Sequence, residues 1–149
     1  MHFREATIDD IPGLFKVRFA VKENRLNNPD LATREDCERY LTTDGKGWVC
    51  EAAGNIVGFA IIDAMRNNIW ALFVDPGYEA QGIGKQLQTL MLDWHFSESD
   101  DMLWLGTSAN TRAERFYALT GWMKTGMLDT GEVKFIITRN RWLQVSGLS

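Results

Sequence analysis

Apolar and polar positions along the chain follow two alternating periods. Residues 3–7 read as a short first strand. Ile11, Leu14, Phe15 and Phe19 then recur at helical spacing behind Asp9 and Asp10, either of which can cap a helix. Asn27, Asn28 and Pro29 break the chain. Thr33, with Asp36 three residues on and then Cys37, Tyr40 and Leu41, predicts a second, short helix. Asp44-Gly45 and Gly47 read as a turn. Residues 48–52 and 56–63 read as the arms of a hairpin joined at Gly54-Asn55. Asn68–Val74 is an apolar strand that stops at Asp75-Pro76-Gly77. Behind Gly82, the residues Ile83, Leu87, Leu90, Met91 and Trp94 line one face of a helix of about a dozen residues. A strand over 102–107, a helix over 110–119 stopped by Gly121, and a hairpin of 122–127 with 132–138 complete the series.

The strand-helix-strand run from Asn68 to Thr107 is a βαβ unit, which requires parallel pairing, whereas the hairpins on either side require antiparallel pairing. The predicted class is α/β with a mixed sheet. No repeat, low-complexity tract or Pro/Ser-rich linker interrupts the chain, so residues 1–149 read as one domain, with the last several residues as a loose tail.

Composition narrows the functions. The 149 residues are enough for a sizeable core without disulfide or metal staples. A net charge of −4 argues against nucleic-acid binding through a bulk positive field. The longest apolar runs have strand length, short of the roughly 20 residues of a membrane span. The first ten residues carry Arg4, Glu5, Asp9 and Asp10, unlike a secretory signal. Cys37 and Cys50 show no metal or disulfide spacing, which fits a reduced cytoplasm. His2 and His95 are a poor supply for a metal site or a Ser/His/Asp triad. The charge is unevenly spread: residues 1–74 hold nine basic and eleven acidic side chains, 75–109 one and six, and 110–149 six and three.

The candidate chemistry lies at Val74-Asp75-Pro76-Gly77-Tyr78-Glu79-Ala80-Gln81-Gly82-Ile83-Gly84-Lys85, where a strand ends and a helix begins. Unpaired N–H groups at a helix N-terminus form an anion site, and Gly82 and Gly84 let a diphosphate approach the backbone. A Walker A loop ending in Gly84-Lys85 would need Gly at 79 and Ser or Thr at 86, where the chain has Glu79 and Gln86. A dinucleotide fingerprint starting at Gly82 would need Gly at 87, where the chain has Leu87. Taken alone, the glycines also suit a plain strand-to-helix turn. A second constellation follows in Asn110-Thr111-Arg112-Ala113-Glu114-Arg115-Phe116-Tyr117, closing on Gly121-Trp122. On a continuous helix Asn110 and Tyr117 would fall within roughly 20° of one face and about 10 Å apart along the axis, with Ala113 keeping that face low and Phe116 turned to the core. Individually, Asn110 suits an N-cap and Tyr117 a core-edge tyrosine.

Together the two stretches resemble the GNAT superfamily of acetyl-CoA-dependent N-acetyltransferases. Val74, Pro76, Gly82 and Gly84 match its V-x-P and [Q/R]-x-x-G-x-[G/A] pattern. Asn110, Ala113, Phe116, Tyr117 and Gly121 match N-x-x-A-x-x-F-Y-x-x-x-G-F, with Trp122 for the last Phe. Glu79 departs from the Gln/Arg position and is expected to point away from the phosphates.

The resemblance implies a single-domain mixed sheet of about six to seven strands, splayed at the centre and flanked by about four helices. It implies acetyl-CoA as co-substrate and no metal. Pantetheine would bond the backbone of Leu72, Phe73 and Val74, and the diphosphate would sit on Gln81, Gly82, Ile83, Gly84 and Lys85, with Asn110 and Tyr117 also at the ligand. A primary amine, small or polypeptide, attacks the thioester directly. A backbone N–H near Phe73 serves the oxyanion, and Tyr117 protonates the thiolate as general acid. The strand Asn68–Val74 carries no carboxylate, so the general base stays unassigned; Glu51, Asp63 and Glu23 are candidates by location only. Residues 15–28, with Arg18, Lys22, Glu23 and Arg25, are where the resemblance places acceptor specificity. Trp70 and Trp104 flank the expected cleft, whereas Trp94 and Trp122 read as core. The expected setting is cytoplasmic, as a monomer or homodimer, without nucleic-acid or membrane partners. Two competing readings are a catalytically silent acyl-CoA sensor and a nucleotide-phosphate hydrolase using the same loop.

Overall fold

The computed structural model describes residues 1–21 and 33–147. Chain order is β1 (His2–Glu5), a 3-10 turn (Ile8–Asp10), α1 (Ile11–Ala20), α2 (Arg34–Thr42), β2 (Gly45–Ala52), β3 (Asn55–Asp63) and β4 (Asn68–Val74). A 3-10 turn (Pro76–Tyr78) leads to α3 (Ile83–Glu98), β5 (Leu103–Thr107), α4 (Arg112–Leu119), β6 (Met123–Met127), β7 (Val133–Ile137) and α5 (Arg139–Val145). The seven strands form one mixed sheet in the order β1-β2-β3-β4-β5-β7-β6. Among the described residues no helix is long and apolar enough to cross a membrane.

Every neighbouring pair is antiparallel except β4 and β5, and that parallel pair meets at one register position, Asn68↔Trp104. The cause is a bulge. Between β3 and β4 the register steps from Ile61↔Ala71 to Ile62↔Ile69, leaving Trp70 unmatched. Such an extra residue bends its strand and increases the local twist. Trp70 and Ala71 consequently fall on the same face, against α1 and α2, while Ile69 and Leu72 face α3. Beyond the bulge β4 swings away from β5, and a cleft opens at the C-terminal ends of both strands.

The sheet is packed on both faces. On one, α3, α4 and α5 cover Ile62, Leu103, Leu105, Phe135 and Ile137; on the other, α1 and α2 cover Val49, Phe59, Ile61 and Ala71. In α3 the buried stripe runs through Ile83, Leu87 and Met91 as predicted, takes in Leu92 and Gln88 as well, and leaves Leu90 and Trp94 partly buried beside it. The Gln88 amide survives burial because Trp122 Nε1 donates to its Oε1 at 2.9 Å.

Several boundaries differ from expectation. Phe19 is 61% exposed; the buried stripe of α1 is Ile11, Leu14, Val17 and Arg18. The β2–β3 turn is Ala53-Gly54, both with positive φ (52° and 80°), one residue earlier than predicted. Helix α3 has 16 residues rather than about twelve, because Gln88, His95 and Phe96 extend its buried face. A fifth helix follows the last strand. Thr138 Oγ1 caps α5 by accepting from Arg141 N, and buried Trp142 donates from Nε1 to Asp93 Oδ1 at 2.8 Å. The break at Asn27-Asn28-Pro29 and residues 148–149 lie outside the described residues.

Gly45 and Gly47 form no turn; they are the first positions of β2. A Cβ at Gly45 would overlap the Ile62 carbonyl oxygen, and one at Gly47 would meet Leu41 Cδ2 at 2.5 Å. These glycines let β3 and α2 close onto β2. Gly45→Ala is therefore expected to destabilise the fold by about 3 kcal/mol through overpacking against backbone. Thermal denaturation should show a Tm lower by roughly 6–12 °C for a domain of this size. An unchanged Tm would mean the strand end yields freely.

Candidate active site

The glycine loop is built by local hydrogen bonds. Asp75 Oδ1 accepts the Gly77 N–H at 2.8 Å, and Asp75 O accepts that of Tyr78 at 2.8 Å, so the chain turns sharply out of β4. Ala80 (φ 63°) and Gly82 (φ 80°) are both left-handed and flank Gln81. Gly82 caps α3, and the first intrahelical bond is Gln86 N to Gly82 O at 3.0 Å. The N–H groups of Ile83, Gly84 and Lys85 thus have no acceptor within the helix and carry its positive dipole end. Gly58, which sequence reading passed over, sets the position of this terminus. A Cβ there would lie 2.9 Å from Ile83 Cγ2 and 3.2 Å from Leu87 Cδ1, so its absence lets the first turn of α3 rest on β3.

The cleft edge of β4 is read from its ladder. Asp75 N donates to Val57 O at 2.8 Å, towards β3. With the two-residue alternation of a strand, Phe73 shares that side, and Leu72 and Val74 turn their N–H and C=O groups into the cleft. Of the three backbone positions predicted for a ligand, Phe73 is therefore committed to the sheet. The Phe73 side chain packs on the opposite face, with the Arg18 guanidinium 4.7 Å from its ring centroid.

Helix α4 closes the other side. It begins at Arg112, with Thr111 as cap: Thr111 Oγ1 accepts from Glu114 N. Asn110 stands outside the helix in a left-handed conformation (φ 62°), its N–H donating to Glu114 Oε2 at 2.9 Å. The helical face predicted to join Asn110 and Tyr117 is therefore not formed, because Thr111 wins the cap position. Phe116 packs against the core, as expected, and also borders the loop: a Cβ at Gly84 would lie 3.6 Å from Val74 Cγ2 and 3.8 Å from Phe116 Cε1. Tyr117 is 7% exposed, its ring packed against Phe116, Trp122 and Phe135. Among the described residues its hydroxyl has no hydrogen-bond partner. Burial alone pushes the phenol pKa well above its usual value.

Glu79 does not simply point away. Its carboxylate pairs with Arg112 Nη1 at 3.0 Å, so the charge at the Gln/Arg position is neutralised from the first turn of α4. Gln81, Gly82 and Lys85 are exposed beside it, and Ile83 is buried under the loop.

The other carboxylates and thiols sort clearly. Glu51 accepts from Arg4 Nε at 2.6 Å. Asp63, 1% exposed, accepts the N–H groups of Met65 and Arg66 and a bond from Arg66 Nη1. Glu23, with the second half of the segment 15–28, lies outside the described residues. Burial pushes the Cys37 thiol up to about 11 and raises Cys50, so neither is a thiolate at neutral pH. On the α1/α2 face Leu14, Phe15, Arg18, Phe59, Trp70 and Phe73 line an apolar hollow of about 20 Å³. Trp104 is anchored through Nε1 to Arg66 O at 3.0 Å. A second, polar hollow of about 180 Å³ lies at the end of β5, lined by Ser108, Ala109, Thr130, Gly131 and Glu132. Sequence reading passed over Glu132, which becomes visible only when the β6–β7 turn is brought beside β5.

A central parallel pair forced apart by a bulge, with a glycine-headed helix at the opening, defines a CoA-type acyltransferase architecture. The chain belongs to the acetyltransferase (GNAT) family, whose sequence model matches residues 14–122. Solved structures share the fold. One is the PaiA N-acetyltransferase of Thermoplasma acidophilum in complex with coenzyme A (16% identity, 92% of this chain, 98% of that one, TM-score 0.75). Another is a GNAT-family acetyltransferase of Staphylococcus aureus Mu50 (23% identity, 92% and 98%, TM-score 0.75). A third is the ribosomal-protein-alanine N-acetyltransferase of Brucella melitensis (17% identity, 93% and 99%, TM-score 0.72). No curated protein matches the chain in sequence.

Proposed function

We propose that this protein transfers the acetyl group of acetyl-CoA to a primary amine by direct attack. The observation that carries the reading is the opened β4 edge. Leu72 and Val74 present unpaired N–H and C=O groups to the same cleft that the first-turn N–H groups of α3 border and Tyr117 closes. The strand edge suits an amide-rich pantetheine chain, and the helix terminus suits a diphosphate. One of the two inward N–H groups, Leu72 or Val74, takes the oxyanion role first expected near Phe73. As the C–N bond forms and the C–S bond breaks, Tyr117 hands its proton to sulfur. No side-chain nucleophile takes part, in keeping with the two buried thiols.

The test has two arms. Acetyl-CoA at about 100 times its Kd should stabilise the native state by about 2.7 kcal/mol, and ATP with Mg²⁺ should not. CoA release should then appear with at least one member of a panel holding a polyamine, free amino acids and an alanine-initiated peptide. The peptide is included because one structural neighbour is a ribosomal-protein-alanine N-acetyltransferase. Binding without turnover on any amine would favour the silent sensor, a reading supported by the lack of a carboxylate on β4.

A further inference from the structure

An alkylammonium must lose a proton before it attacks, and β4 offers no carboxylate to take it. We propose that Glu132, on the β6–β7 turn, is the general base of this site; the inference rests on the acetyl-transfer reading above.

Position is the first ground. The β5–β7 ladder ends at Thr107↔Val133, so Glu132 stands just beyond it, at the end of β5 where the cleft opens. Gly106 holds it there. A Cβ at Gly106 would lie 3.2 Å from Glu132 Oε1 and 2.5 Å from Leu128 Cδ1, so the missing side chain provides the seat for the carboxylate. Leu105 and Thr107 are buried on the α3/α4 side, and by alternation Gly106 and the carboxylate over it face the other way. Tyr117 lies in the core on the α3/α4 side. Proton donor and proton acceptor thus flank the reacting carbon from opposite faces of the sheet. Height agrees as well: Gly106 is two residues past Trp104, level with the bulge at Trp70 that turns β4 aside.

Availability is the second ground. The other carboxylates around the opening are engaged. Asp75 accepts from Gly77 N, Glu79 pairs with Arg112, and Glu114 accepts from Asn110 N with Lys124 Nζ at 3.8 Å. Among the described residues, the side-chain partner of Glu132 is the Thr130 hydroxyl, donating at 3.0 Å, which leaves oxygen lone pairs for an ammonium. The charged group beside it on the same strand face is Lys134, paired with Gly106 in the ladder and drawn over the Trp104 ring at 5.7 Å. The adjoining polar hollow has room for an amine head group or one relaying water. In the step, Glu132 accepts the first ammonium proton, the neutral amine forms the C–N bond, the C–S bond breaks and Tyr117 protonates the sulfur; the second nitrogen proton leaves through the relaying water to solvent, which also restores both side chains.

Glu132→Gln in the full chain tests this, with acetyl-CoA and the panel amine that wild type acetylates fastest. The expected result is a fall of about 10²–10³-fold in kcat/KM for the amine. Acetyl-CoA affinity and Tm should match wild type. With a strongly basic amine the variant's kcat/KM should climb with pH as the amine itself deprotonates, unlike the wild-type profile. The deficit should shrink for a weakly basic amine, such as trifluoroethylamine, already neutral at the assay pH, and Glu132→Asp should recover part of the rate. Wild-type kcat/KM and pH profile in Glu132→Gln would overturn the inference alone. So would a loss equal for strongly and weakly basic amines, which marks a structural role. If wild type binds acetyl-CoA but acetylates no amine, the acetyl-transfer reading falls and takes this inference with it.

Discussion

Tyr117→Phe should lower kcat by about 10²-fold or more while leaving acetyl-CoA affinity and Tm close to wild type. The split follows from geometry. The ring packs against Phe116, Trp122 and Phe135, and phenylalanine keeps all three contacts. Only the hydroxyl is lost, and among the described residues it bonds to nothing, so the fold gives up little. What disappears is a proton donor at a site where a thiolate must leave. Burial holds the phenol protonated well past neutral pH, which suits an acid and rules out a base. The higher pKa makes the phenol a weaker acid in water, but the departing thiolate forms in the same dry cleft, where its own basicity rises for the same reason. Steady-state kinetics with the acetylated panel amine, beside calorimetric Kd values for acetyl-CoA, measure both halves. An unchanged kcat would remove Tyr117 from the chemistry and leave it as a core aromatic.

The sequence was most legible where one period ran unbroken. Asn68–Val74 was read to the residue, because an apolar strand bounded by Asp75-Pro76-Gly77 admits one assignment. Thr33 was legible from its spacing to Asp36 ahead of an apolar run, and its side chain accepts from Asp36 N. The misreadings were contests between local signals. Gly45 and Gly47 look like turn residues, but tertiary closeness to Ile62 and Leu41 is what requires them. Asn110 and Thr111 are both good caps, and only the folded loop decides for Thr111. Long-range arrangement was invisible: the bulge at Trp70, the seat over Gly106 and the Trp142–Asp93 bond each depend on residues distant in sequence.

The Glu79–Arg112 pair resolves a tension in the charge distribution. The glycine loop belongs to the most acidic stretch of the chain, with one basic and six acidic side chains over 75–109. An anion cannot be drawn there by bulk field. The fold brings Arg112 from the basic C-terminal stretch to cancel the carboxylate nearest the loop, leaving the aimed N–H groups of α3 as the dominant local positive end. The pair is substantially exposed and contributes little to stability. Its consequence is electrostatic, in what it removes from the approach to the loop.

Gly82→Val carries that argument to an experiment. At φ 80° a β-branched residue is strained by about 1–3 kcal/mol, so a Tm loss of several degrees is expected from backbone alone. Packing adds nothing, since a Cβ at Gly82 would find no atom within 4 Å. The new side chain instead projects into the space before the first turn of α3, where a diphosphate would sit. Acetyl-CoA Kd should therefore rise by about 30–100-fold, equivalent to roughly 2–3 kcal/mol. Gly54→Val separates strain from site: Gly54 has the same φ of 80° and the same open surroundings, but lies in the β2–β3 turn. It should lose comparable stability and keep its acetyl-CoA affinity. Gly84→Ala completes the comparison from inside the helix, where φ is ordinary and the added Cβ makes contacts of 3.6–3.9 Å. That variant should be as stable as wild type or slightly more so, because alanine favours the helix, and any loss of affinity would come from the ligand side. Equal acetyl-CoA affinity in Gly82→Val and Gly54→Val would place the diphosphate away from this loop.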